Sequence, residues 1–84
     1  MIQVKKFSAV WCGPCRMLKN IMVDVSAQVS VPIQDIDVDD NPELAQRYNV
    51  RSVPTVVIEK DGQEVKRFVG VQPAQTYVSA INSL

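Results

Sequence analysis

Eighty-four residues leave room for one domain, read over residues 1–84, because so short a chain cannot enclose two hydrophobic cores. Composition is that of an ordinary globular protein, 46% hydrophobic and 21% charged, and nine Lys+Arg balance nine Asp+Glu. No net field therefore favours nucleic acid or an anionic membrane, the apolar runs fall well short of the roughly 20 residues that span a bilayer, and the start MIQVKKFSAVW carries no secretory pattern, which points to the cytoplasm.

Along the chain, Ile2 to Ala9 reads as a strand that ends ahead of a Gly-Pro pair. From Gly13 the period changes, and Met17, Leu18, Ile21, Met22, Val25 and Val29 form one apolar stripe at helical spacing. Val31-Pro32 ends that helix, and Ile33, Ile36 and Val38 belong to a second strand, so the first 38 residues predict a βαβ unit with parallel strands. Asn41-Pro42 predicts a helix start with an Asn cap and Pro at the first helical position. Leu44, Ala45 and Tyr48 are its buried face, and Asn49 closes it. Pro54 to Glu59 is a strand, Asp61-Gly62 a tight hairpin turn, and Glu64 to Val69 the returning strand. Gln72-Pro73 opens a last helix with Tyr77, Val78, Ile81 and Leu84 facing inward. The order β-α-β-α-β-β-α predicts an α/β fold, a four-stranded mixed sheet flanked by three helices.

The chain has two cysteines and no histidine. Absence of histidine removes Cys-His nucleophilic catalysis and mixed Cys/His zinc sites. Cys12 and Cys15 are too close in sequence to staple the fold, since a disulfide closing so short a loop constrains little unfolded-state entropy. In a cytosolic chain that spacing points to redox or metal chemistry. A four-cysteine metal site needs a second pair, so a metal or iron–sulfur reading requires a second copy of the chain.

Position favours the redox reading. Cys12 falls at the predicted helix N-terminus, where unpaired N–H groups and the helix dipole favour a thiolate. Cys15, one turn on, is placed to resolve a mixed disulfide formed at Cys12. Pro14 suits a first helical turn, and Gly13 lets the chain turn sharply.

Trp11-Cys12-Gly13-Pro14-Cys15 resembles the active-site signature of the thioredoxin family, and the resemblance continues through Asp39-Asp40-Asn41-Pro42, Val50-Arg51-Ser52-Val53-Pro54-Thr55 and Val69-Gly70-Val71. It implies a thioredoxin-like fold, a cis bond before Pro54 facing the cysteines, and a docking groove formed by Trp11, Val53, Pro54, Val69, Gly70 and Val71. It also implies a monomer that reduces protein disulfides without a bound cofactor or metal. The implied partners are a thioredoxin reductase or equivalent electron donor, and oxidised target proteins such as ribonucleotide reductase.

Three departures stand out. The strand and helix that thioredoxins usually carry ahead of the first strand are not in this chain, which implies strand order 2-1-3-4 with the second strand at an edge. Thioredoxins usually have a buried Asp six residues before the first cysteine, paired with a Lys on the neighbouring strand. Here Lys6 stands at the Asp position and Asp35 at the Lys position, which predicts a reversed ion pair beneath the active site that tunes Cys15. Asn20 replaces a kinking Pro of the long helix, which predicts a straighter helix. A redox-independent binding subunit remains the rival of another class.

Overall fold

Strand β1 (Ile2–Ser8) lies inside the sheet, pairing parallel with β2 (Ile33–Asp37) and antiparallel with β3 (Thr55–Lys60), which pairs antiparallel with β4 (Gln63–Val69). The sheet order is β2-β1-β3-β4, as the resemblance implied. The computed structural model describes residues 1–84 and places three helices around this sheet: α1 (Gly13–Gln28), α2 (Pro42–Arg47) and α3 (Ala74–Asn82).

Alternation along the strands gives the single sheet one apolar cluster on each face. Val4, Val56 and Ile58 pack with Leu18, Met22 and Val25 of α1 and with Tyr77, Val78 and Ile81 of α3. On the other face Phe7, Ile36 and Val57 pack with Leu44 and Tyr48 from the α2 region. Each such fully buried aliphatic or aromatic side chain contributes roughly 1.5–3 kcal/mol relative to exposure.

Most boundaries follow the sequence signals. Asp61 and Gly62 both take positive φ, 54° and 83°, as a type I′ hairpin turn requires. Asn49, at φ 56°, follows α2 in the left-handed conformation that ends helices. Three details differ from expectation. Asn41 is the N-cap residue of α2 but makes no side-chain cap bond; its amide donates instead to the Asp37 carbonyl at 3.1 Å. Met17 is exposed, because α1 buries a narrower stripe, Cys15, Leu18, Met22 and Val25. Leu84 lies beyond α3 and is also exposed.

Beside the cluster on the α2 face, Glu59 takes a 2.5 Å ion pair from Lys5 Nζ and a 2.5 Å hydrogen bond from the Tyr48 hydroxyl. Burial alone would push the Glu59 carboxyl up, but Lys5 and Tyr48 outweigh it and hold the group below its ordinary value. Lys5 is raised, chiefly by the hydrogen bond to Glu59. The depressed carboxylate stabilises the fold fully above pH 4.5, its ordinary value, and that contribution disappears as pH falls through the lower folded value. The raised Lys5 stabilises fully below 10.5 and loses its contribution as pH rises through the higher folded value. Glu59→Ala strands a nearly buried ammonium and is expected to cost about 3–5 kcal/mol at pH 7. Urea unfolding checks this, and the loss relative to wild type should shrink below about pH 4.

Candidate active site

Strand β1 stops at Ser8, and the chain turns through Val10 and Trp11, with the Cys12 N–H donating to the Ala9 carbonyl at 3.2 Å. That turn delivers Cys12 to the N-cap of α1 in extended conformation, with Gly13 and Pro14 as the first helical residues. Pro has no N–H to leave unpaired there, which suits the first turn. Cys12 and Cys15 are joined as a disulfide with Cα atoms 5.3 Å apart. The Cys15 backbone N–H points at Cys12 Sγ, 3.2 Å away, so the sulfur at the helix N-terminus occupies the place of a capping oxygen.

Exposure does not separate the two cysteines, at 4% and 6% in the disulfide form. Position does, because Cys12 faces the helix dipole from outside and Cys15 lies within the first turn. Both pack with Ala9, Val38 and Val53, and the Val53 carbonyl oxygen lies 3.8 Å from Cys12 Sγ. The Val53–Pro54 bond is cis, and the Thr55 hydroxyl donates to the Ser52 carbonyl at 2.8 Å, bracing this segment.

The residues expected to form one groove divide into two groups. Trp11 and Val53 share a small apolar hollow of about 130 Å³ with Val38, Val50, Arg51 and Ser52. Trp11 is exposed and its indole N–H donates to Asp39 at 2.8 Å. Pro54 is buried and reaches the other group through backbone, the Gly70 N–H donating to its carbonyl at 2.9 Å. Val69 is exposed and Val71 half-buried. Sequence reasoning assigned no role to Asp39, although the Asp-Asp-Asn-Pro segment that carries it stood out. Val38, Val50 and Arg51 were also missed, since nothing in their spacing distinguishes groove residues from strand and loop residues.

Lys6 and Asp35 face each other in the parallel register of β1 and β2 and form an ion pair of 2.7 Å. The Lys6 side chain is 6% exposed and that of Asp35 71%, so the cation sits inside and the anion at the surface. Both border a cleft of about 330 Å³ that also reaches Cys15, Arg16, Lys19 and Asp37. The expected reversed pair is therefore present on the α1 side of the sheet, lining the same cleft as the inner cysteine.

Residues 2–83 match the thioredoxin family model. The chain belongs to the thioredoxin family. It is 43% identical over 77 residues to the thioredoxin of Chlamydia caviae, covering 90% of this chain and 76% of that protein. Against Staphylococcus aureus thioredoxin it is 37% identical over 83 residues, covering 96% and 80%. Among solved structures, a mutant thioredoxin from Halobacterium salinarum matches with a TM-score of 0.93 and 39% identity, over 98% of this chain and 73% of that one. A thioredoxin with this cysteine pair is a protein-disulfide oxidoreductase, and its redox centre is Cys12–Cys15. No helix is long and apolar enough to cross a membrane.

Trp11 is the sole tryptophan, so its emission reports this site directly. Asp39→Ala is expected to lower the fluorescence anisotropy of Trp11 while changing global stability by no more than about 1 kcal/mol, since the lost bond is exposed.

Proposed function

We propose that this thioredoxin works as a reductant of protein disulfides, with Cys12 as nucleophile and Cys15 as resolving thiol. The observation that carries the assignment is Cys12 Sγ at the α1 N-cap, receiving the Cys15 N–H. In the dithiol the same N–H and the helix dipole favour a thiolate on Cys12. That thiolate attacks one sulfur of a target disulfide, forming a Cys12–target bond and releasing the other target sulfur as a thiolate that takes up a proton. Cys15, deprotonated, then attacks Cys12 Sγ and expels the second target thiol, leaving the disulfide seen here. Two electrons and two protons pass to the target, and no bound cofactor is needed. A thioredoxin reductase or equivalent dithiol donor in the cytoplasm restores the pair, and the chain acts as a monomer. Trp11, Val53 and Pro54 on one side and Val69, Gly70 and Val71 on the other receive the target segment. Gly13 and Pro14 hold the turn between the sulfurs.

Lys6 acts on the second step. Its ammonium, held by Asp35 in the cleft that Cys15 borders, favours the Cys15 thiolate directly, whereas a carboxylate there would act as a base.

Equilibration against defined thiol buffers, read by alkylation and mass, should give a reversible Cys12–Cys15 disulfide with a potential at or below about −250 mV. A value above about −200 mV would show an oxidant or isomerase instead. Cys15→Ser should accumulate a Cys12–target mixed disulfide, and Cys12→Ser should not. A Cys12→Ser, Cys15→Ser double variant that keeps full biological activity would establish the binding-subunit reading. In Lys6→Met the Cys15 thiolate should form at higher pH and the mixed disulfide should resolve more slowly. Unchanged Cys15 titration in both Lys6→Met and Asp35→Asn would sink the role given to Lys6.

A further inference from the structure

The loop from Gly70 to Pro73 follows β4 and leads into α3, and it carries the second half of the docking rim. Val71 packs, half-buried, against the apolar cluster under α1 and α3, and the rest of the hold on the loop is through its backbone. Pro73 is the N-cap residue of α3 and provides no side-chain cap, while Gly70 takes φ 87°, a conformation that favours a residue without a side chain. One anchor is the Gly70 N–H on the Pro54 carbonyl at 2.9 Å. The other comes from within the core. Tyr77 is 1% exposed, and its ring stands edge-on to Phe68, with centroids 5.2 Å apart at 80°. Side chains on a helix lean toward its N-terminus, so the phenol at the fourth position of α3 reaches back under the loop. Its oxygen accepts the Gln72 N–H at 3.1 Å and its O–H donates to the Gly70 carbonyl at 3.5 Å. The single polar atom of a buried aromatic thus serves both a donor and an acceptor of the rim backbone.

We infer that Tyr77 is a positioning residue for target binding, its hydroxyl latching the Gly70–Gln72 backbone so that Val69 and Val71 stand in a fixed relation to Pro54 and the cysteine pair. The ring belongs to the core and would be supplied equally by Phe; only the hydroxyl is spent on the loop. Removing it leaves the Gln72 N–H and the Gly70 carbonyl without their partner, which frees the rim to splay without disturbing the sulfurs. The consequence for target binding rests on the protein-disulfide reading above.

Tyr77→Phe separates these parts, with Ile81→Val, a core truncation on the same helix away from the loop, as the stability control. Amide hydrogen exchange at Gln72 should quicken about tenfold in Tyr77→Phe and not in Ile81→Val. With insulin as the protein disulfide, KM should rise about three- to tenfold at little-changed kcat. The rate toward a small aromatic disulfide and the Cys12–Cys15 potential should stay as in wild type. Unchanged Gln72 exchange would overturn the latch. Faster exchange with an unchanged KM would overturn its role in target binding. If wild type itself does not reduce insulin, the reductase reading fails, while Gln72 exchange still decides the latch.

Discussion

The active site depends on how β1 is clamped. Parallel pairing with β2 and antiparallel pairing with β3 leave the strand no freedom to slide, because a one-residue slip would turn every side chain to the wrong face. Its last residue is therefore a fixed point, and the turn from Ala9 to Cys12 carries that precision into the N-cap of α1. Since β3 begins just after Pro54, the same clamp sets the Val53 carbonyl against Cys12. Sulfur, helix dipole and facing backbone are brought together by one sheet register.

That register also explains two adjacent lysines. Successive strand residues point to opposite faces, so Lys5 and Lys6 meet different carboxylates. Lys5 turns to the α2 side and joins Glu59 and Tyr48 in a nearly buried network whose role is structural. Lys6 turns to the α1 side and meets Asp35 in the cleft that Cys15 also lines. In the role proposed above, this ammonium acts on the inner sulfur through its charge, while Asp35 keeps the pair neutral. A cation that stabilises a thiolate is a different aid to disulfide resolution from a base that removes its proton.

The docking rim proposed above consists of short segments, each held by its own hydrogen bonds, rather than a continuous surface. Trp11 is steadied by Asp39, the Ser52–Thr55 segment by its own turn, and the Gly70–Gln72 loop by Pro54 and Tyr77. Apolar side chains such as Val10, Trp11 and Val69 are then left exposed on a scaffold that does not collapse over them.

Much of this was legible in the residues. The strand and helix order, the Asp61-Gly62 hairpin and the placement of Cys12 and Cys15 at a strand-to-helix junction follow from periodicity, turn chemistry and spacing, all of which act over a few residues. The Lys6–Asp35 pairing came from the family pattern together with parallel strands. What the residues alone left open was set by contacts between distant segments: the cis bond at Val53–Pro54, the Trp11–Asp39 and Tyr77–Gln72 bonds, and the division between an outward Met17 and an inward Leu18. Local propensity determines which elements form, because it is decided within a turn or a strand. The positions of the groups that do chemistry were decided only by the sheet register and the packing of α1 and α3 upon it, because those bring together residues whose separation along the chain carries no signal of their meeting.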